Sequence, residues 1–174
     1  MTLPMTPLQT VGPYFAVALL DVIGPELVEP GGPSAIRIEG VLLDGAGAPV
    51  PDGMVEIWQA DAEGNHSPDS GFGRCGAAPD GSFHFTTVKP GRVAAPDGSL
   101  QAPHIAFWVF ARGLLKGLAT RMYFPDEEAA NAADPVLSAL DEAARATLVA
   151  REDEGVLRFA VRLQGEGETT FFAV

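Results

Sequence analysis

The sequence has one cysteine and few basic residues. Cys75 is the single cysteine among 174 residues, which excludes an internal disulfide and favours a reducing compartment. No lysine or arginine precedes Arg37, so the apolar run at residues 15–20 has no basic flank, and Asp21 interrupts it. We therefore interpret this run as neither a signal peptide nor a transmembrane helix, and we expect a cytoplasmic protein.

Positive charge is scarce along the whole chain. The 11 basic and 23 acidic side chains give a formal net charge of −12 at pH 7. Because phosphate-rich surfaces repel an acidic protein, nucleic acid and anionic membrane are poor partners for this chain.

Turn-forming residues are abundant by contrast. The chain contains 20 glycines and 15 prolines without a Gly-X-Y period, a composition typical of many turns between short strands. Apolar alternation predicts these strands, which we place at residues 36–44, 54–62, 82–88, 104–111, 118–124 and 156–163. The first two are expected to pair antiparallel.

The remaining segments predict loops and short helices. Residues 64–81 read as a long polar loop, and Asp126 and Asp141 are expected to begin short helices as N-caps. The fold class is thus predicted to be mainly β, a β-sandwich with short helical inserts. We expect one domain over residues 1–174, in which residues 1–35 form an arm and loop that lie on a neighbouring surface.

Motifs for independent catalysis are missing. The three histidines, His66, His84 and His104, show no recognised metal-ligand spacing, and we favour structural roles for them over a metal site. A nucleophile elbow, a P-loop and a dinucleotide fingerprint are also absent. A metalloenzyme that uses its own histidines is therefore the weakest hypothesis.

The strand at residues 104–111 is apolar on both faces, and Arg112 ends it. Alternation places Arg112 on the same face as His104 and Ala106. A guanidinium at the rim of an apolar surface can hold a carboxylate through two hydrogen bonds. The alternative is an exposed arginine in a surface ion pair, and position alone favours that alternative.

The segment TPLQTVGPYF at residues 6–15 is a second candidate for ligand contact. Gly12 permits a close approach and Pro13 lacks an N–H, so the two can form a smooth wall for a flat ligand. Tyr14 would add a ring and a phenol to this wall. The alternative is an ordinary turn in an N-terminal arm.

Six segments together resemble one protein family. TPLQTVGPYF, VEIWQADAEG, GSFHFTTVKPG, APHIAFWVFARG, TRMYFPDE and RLQGEGETTFF occur in the order found in intradiol ring-cleavage dioxygenases, and the resemblance extends from Thr6 to Phe172. It is closest to the alpha chain of those members that pair two related β-sandwich chains, alpha and beta. The resemblance implies a hetero-oligomer in which the beta chain binds Fe(III) through two tyrosines and two histidines.

Most of these iron ligands are missing here. The histidine pair of the family corresponds to His104 and Ala106, and Arg92 and Val93 follow the K-P-G turn where one tyrosine is expected. The loop at residues 64–74, the place of the other tyrosine, contains none. We therefore expect no metal site and no catalytic residue in this chain, and we interpret His104 as a vestigial ligand position.

The resemblance also implies what this chain contributes. The alpha chain supplies part of a substrate pocket at the alpha–beta contact, and the matching residues are Gly12, Pro13 and Arg112, with Thr10 and Tyr14 as possible supporting residues. The implied reaction opens the ring of protocatechuate with dioxygen to 3-carboxy-cis,cis-muconate, and Arg112 would bind the carboxylate. The alternative is a non-catalytic, transthyretin-like β-sandwich binding module, with which the segment at residues 44–61 is also compatible.

Overall fold

The computed structural model of the chain describes residues 5–10, 12, 14–67, 70–95 and 97–173. Within these ranges the protein is mainly β, as predicted. The strands are β1 Ala35–Leu43, β2 Met54–Trp58, β3 Phe72–Gly76, β4 Ser82–Val88, β5 Val93–Ala94, β6 Leu100–Gln101, β7 His104–Phe110, β8 Leu118–Tyr123, β9 Arg151–Asp153 and β10 Val156–Arg162. The helices are α1 Phe15–Leu19, α2 Glu128–Ala133, α3 Pro135–Ser138 and α4 Glu142–Ala146.

Two four-stranded sheets face each other and form a β-sandwich. The first sheet has the order β4-β1-β10-β9, and its central strands β1 and β10 run parallel. The second sheet has the order β3-β2-β7-β8 and is antiparallel throughout. Parallel neighbours require a long crossover, and here the chain between β1 and β10 contains the entire second sheet.

Aromatic rings from both sheets fill the space between them. The rings of Phe83, Phe85 and Phe159 in the first sheet lie 5.2–6.4 Å, centroid to centroid, from the ring of Phe107 in the second. All four residues are at most 3% exposed, and burial of each such ring stabilises the fold by about 1.5–3 kcal/mol. Gly40 makes room for them, since a Cβ there would lie 2.2 Å from the Phe83 ring.

The predicted antiparallel pairing of the first two strands is wrong. β1 pairs with β4 and β10, whereas β2 pairs with β3 and β7 in the other sheet. Ile38 and Leu42 of β1 and Val55 and Ile57 of β2 belong to the same buried cluster, so the strands meet face to face. Alternation shows that each strand has an apolar face, but it does not show whether two strands share a sheet.

The predicted polar loop at residues 64–81 contains strand β3. Its glycines weaken the strand signal in the sequence, but they are sites of close packing. A Cβ at Gly73 would lie 2.4 Å from Cδ1 of Leu27, and one at Gly76 would lie 2.6 Å from Cδ1 of Leu20. Residues that precede β1, within the predicted arm, therefore cover this edge strand of their own chain.

The predicted helix starts are partly confirmed. The Asp141 carboxylate caps the first turn of α4, whereas α2 begins at Glu128 without a side-chain cap and the Asp126 carboxylate pairs with the Lys89 ammonium over 2.7 Å. Helix α3, which Asp134 caps, was not predicted because it has only four residues. No helix in the described ranges has the length and apolar character needed to cross a bilayer.

Candidate functional site

The N-terminal segment lies against the turn that follows β7. The Thr10 hydroxyl accepts a hydrogen bond from the backbone N–H of Gly113 over 3.2 Å and a longer one from that of Gly12 over 3.5 Å. Gly113 directly follows Arg112 and has a φ of +85°, a conformation that glycine adopts readily. The structure thus holds the segment with Thr10 and Gly12 against the turn that follows Arg112, at one end of the second sheet. Pro13 lies outside the described residues.

Gly12 and Tyr14 present an open surface. Gly12 has a φ of +69°, and a Cβ added there would meet no atom within 4 Å, so conformation and not crowding within this chain favours glycine. The Tyr14 side chain is exposed, while Phe15, which begins α1, is buried. Phe15 therefore anchors the segment and leaves the Tyr14 ring in solvent.

Arg112 forms an ion pair with Asp52, a partner that the sequence did not indicate. Met54 lies opposite Phe110 in the antiparallel β2–β7 ladder, and continuing this register by two residues places Asp52 opposite Arg112. The Arg112 Nε lies 2.5 Å from Oδ2 of Asp52, and the two side chains are 61% and 35% exposed. The surface ion pair considered as the alternative reading of Arg112 is therefore present. The described part of the chain gives the two Nη nitrogens no hydrogen-bond partner.

Replacement of Thr10 by valine should loosen the N-terminal segment. Valine has the shape of threonine but no hydroxyl, so the Gly113 N–H loses its acceptor. We expect hydrogen exchange at this N–H to become about 2- to 10-fold faster, in line with a net hydrogen-bond contribution of about 0.5–1.5 kcal/mol. Thr10→Ser, which keeps the hydroxyl, is the control. Unchanged exchange in Thr10→Val would show that this hydrogen bond does not hold the segment.

The outer face of the second sheet, which we call the aromatic face, carries several aromatic side chains beside the Glu56–Arg74 ion pair. It carries the partly exposed side chains of Trp58, Phe72, Trp108 and Phe110. The rings of Trp108 and Phe110 stack with centroids 6.4 Å apart. On its inner face β7 is fully buried, and its outer-face residues are partly buried. The arm and the Arg112 turn add the exposed apolar side chains of Leu8 and Leu115.

His104 lies at the first position of β7, largely buried. Its Nδ1 is 2.8 Å from the carbonyl oxygen of Ala102, and its ring packs against that of Tyr123 with centroids 5.6 Å apart. Burial, together with the positive charge of Arg121, lowers the pKa of His104 to about 4. The imidazole is therefore neutral at physiological pH, and it has a polar partner within its own chain.

The surroundings of Ala106 do not fit a ferric ion. Ala106 has no donor atom, and its neighbours across the sheet are Trp58 on β2 and Arg121 on β8. The Arg121 guanidinium donates a hydrogen bond to Oε1 of Gln101 over 2.6 Å. A fixed positive charge thus stands beside the missing second histidine, where it would repel a metal cation.

Other donors do not compensate for this charge. The Tyr123 hydroxyl donates a hydrogen bond to the buried Asp134 carboxylate over 3.3 Å, and burial raises the pKa of this phenol to about 12. His66 stacks on Trp58 on the same sheet face as His104, a proximity that the sequence did not indicate. The described residues include no cluster of three or more histidine, cysteine or acidic side chains that could hold a metal. The residues present therefore do not fit the iron that the family uses.

The buried histidine makes the stability of this chain sensitive to acid. Because the pKa of His104 is lower in the folded chain than its ordinary value of about 6.5, the unfolded chain binds this proton first. The neutral His104 therefore makes its full contribution to the free energy of unfolding above about pH 6.5. This contribution, roughly 3 kcal/mol at most, is lost as the pH falls to about 4. In His104→Asn, whose amide can replace the contact with Ala102, the free energy of unfolding should fall less between pH 7 and pH 4.5. Equal falls would contradict the lowered pKa.

A second surface, a groove of about 530 Å³, lies on the outer face of the first sheet. Glu39 pairs there with Arg37 and Arg158, and the hydrogen bond from Arg37 lowers the pKa of the Glu39 carboxyl. These charges compensate one another, and the groove lies on the other sheet from Arg112. The groove is therefore a weaker candidate for ligand binding than the end of β7.

Comparisons with known proteins cover most of the chain. Residues 21–165 match the family model described as "Dioxygenase". The protocatechuate 3,4-dioxygenase alpha chain of Burkholderia cepacia is 42% identical, with 99% of each chain covered. The beta chain from the same organism is 36% identical over 67% of this chain and 55% of its own length.

A solved structure shows the same fold. The dioxygenase domain of a carbohydrate-binding fusion protein from Streptomyces sp. SirexAA-E superposes with a TM-score of 0.60 and 26% identity, over 91% of this chain and 96% of its own. The comparisons give no support to the alternative of a transthyretin-like module. Family model, relatives and sandwich topology agree, and this chain belongs to the intradiol ring-cleavage dioxygenase family.

Proposed function

We propose that this chain is the alpha-type subunit of a protocatechuate 3,4-dioxygenase that contains no iron of its own. The complex opens the ring of protocatechuate with dioxygen between the two hydroxyl-bearing carbons and forms 3-carboxy-cis,cis-muconate. The observation that carries this proposal is the hydrogen bond from the Gly113 N–H to Thr10, which holds the N-terminal segment against the turn that follows Arg112, in a chain that matches an alpha chain over 99% of its length.

The iron belongs to a beta-type partner. Ferric iron requires several anionic donors, whereas this chain offers the neutral His104 and the guanidinium of Arg121 at the corresponding place. The match to a beta chain supports a common origin of the two subunits. Activation of the catechol is therefore the work of the partner's ferric ion, and this chain contributes binding residues.

Arg112 binds the substrate carboxylate in this proposal. Its Nε is paired with Asp52, and its two Nη nitrogens, which form a planar fork of donors, have no hydrogen-bond partner among the described residues. A fork of this kind matches the two oxygens of a carboxylate better than a lysine ammonium does. Gly12 and Pro13 form the wall against which the flat ring lies, and Tyr14 and Thr10 support that wall.

The aromatic face and the arm form the contact with the partner. Trp108 and Phe110 are half exposed in this chain, and Leu8, Tyr14 and Leu115 are exposed around the Arg112 turn. Apolar surface of this extent next to a ligand site is typical of a protein interface. The sandwich is one unit over residues 1–174, and its N-terminal arm within residues 1–35 extends onto the partner in the cytoplasm.

The test is co-expression of this chain with a beta-type chain. Dioxygen uptake with protocatechuate and the iron content are then measured for the complex and for each chain alone.

A further inference from the structure

The ion pair of Asp52 with Arg112 is built into the backbone. Asp52 has a φ of +57°, which is uncommon for a residue other than glycine. The next residue, Gly53, is buried, and its carbonyl oxygen accepts a hydrogen bond from the Ala77 N–H over 2.7 Å. Strand β2 begins directly afterwards at Met54. The backbone that carries the Asp52 carboxylate is therefore fixed on the side of the sheet.

The Asp52 carboxylate has one partner. Within the described ranges it contacts only Arg112, whose Nε is 2.5 Å away, and it caps no turn or helix. Both side chains reach solvent, and an ion pair between partly exposed side chains adds little to stability. The turn at residues 51–52 accounts for the positive φ of Asp52, but neither this turn nor stability accounts for the pairing of Asp52 with Arg112.

The ion pair with Asp52 leaves the two Nη nitrogens of Arg112 available to a ligand. A guanidinium can meet one carboxylate through its Nε edge and another through its two Nη nitrogens. Asp52 occupies the Nε atom, and the Nη nitrogens have no partner in the described chain. An arginine side chain otherwise loses much rotamer freedom when it binds a ligand, and a partner that fixes it beforehand reduces that cost.

We propose that Asp52 is a positioning residue, which holds Arg112 so that its Nη nitrogens receive the carboxylate of the substrate. This inference rests on the role of Arg112 in the proposed function. Asp52 acts through Arg112 and does not touch the substrate itself. It sets the selectivity for carboxylated over plain catechols.

The test uses Asp52→Gly in the complex with the beta-type chain. Glycine keeps the positive φ without strain and removes only the carboxylate. We expect the KM for protocatechuate to rise about 3- to 10-fold and the KM for catechol, which has no carboxylate, to change less than twofold. Asp52→Asn, which keeps a side-chain oxygen near Nε but loses the charge, should lie closer to the unaltered complex. Asp52→Gly combined with Arg112→Ala should lose no more selectivity than Arg112→Ala alone.

Glu154 provides a matched control. It also has a positive φ, +52°, and a carboxylate, but it lies between β9 and β10 of the other sheet. Glu154→Gly should leave both KM values unchanged. If it shifts them as much as Asp52→Gly does, the effect comes from a general loss of negative charge, and the proposal is overturned.

The other outcomes separate this inference from the proposed function. Tighter binding of protocatechuate by Asp52→Gly would make Asp52 a competitor of the substrate, and equal losses for both substrates would make it structural; either result overturns the inference. If Arg112→Ala reduces selectivity but Asp52→Gly does not, this inference alone fails. If Arg112→Ala has no effect on selectivity, the proposed role of Arg112 fails and the inference fails with it.

Discussion

Purified alone, this chain should contain no stoichiometric iron and should be colourless and inactive. Co-expressed with a beta-type chain, it should yield a coloured ferric complex that consumes dioxygen with protocatechuate. The physical reason is the donor set at the former ligand position, where the neutral His104 stands beside the cationic Arg121 and Ala106 has no donor. Tyr123, the tyrosine beside His104, does not supply a phenolate there, since burial raises its pKa to about 12.

Metal analysis of each fraction checks this expectation. The beta-type chain purified alone is the necessary comparison, because it shows how much iron is held without the alpha-type chain. Stoichiometric iron in the isolated and active alpha-type chain would contradict the assignment, and a complex without iron would contradict the proposed division of roles.

Arg112→Ala in the complex should weaken the binding of protocatechuate by about 1.5–3 kcal/mol, or roughly 10- to 150-fold. This is the range for hydrogen bonds to a charged group, and it applies because the substrate carboxylate would lose its cationic partner. Catechol should be affected much less. The measurement is the dissociation constant of each compound under anaerobic conditions, with Arg112→Lys as an intermediate that keeps the charge and loses the planar fork.

If the binding of protocatechuate and the binding of catechol weaken equally, Arg112 does not bind the substrate carboxylate. The measurement also distinguishes the two interpretations of this residue that the sequence leaves open. A purely surface ion pair with Asp52 would contribute about 0–1 kcal/mol to stability and nothing to selectivity between the two compounds.

A selective loss of protocatechuate binding in Arg112→Ala would fit a division of roles between two related chains. This chain keeps the sandwich, the arm and the arginine at the end of β7, and it has a guanidinium near the former ligand position. The family can thus keep one surface for chemistry and use the related surface of a second chain for recognition. The fold does not depend on metal ligands on this outer face, because the core lies on the other face of β7.

The sequence by itself determined the fold class, most strands and the lack of a donor atom at Ala106. Strand β4, for example, occurs where alternation predicts it, and β1, β7 and β10 agree within one residue at each end. These features are local, because a few consecutive residues determine which side chains of a strand are buried. The missing ligands are equally local, since Ala106 has no donor in any fold.

Only the tertiary structure decided which segments meet. Alternation did not separate β1 and β2 into different sheets, because a strand shows its apolar face regardless of its neighbours. It did not place His66 on Trp58, and it did not pair Asp52 with Arg112, which are 60 positions apart and meet only because β2 and β7 share one register. Contacts between distant residues depend on which strands pair. The packing of the whole core decides this pairing, and no short stretch of the sequence shows it.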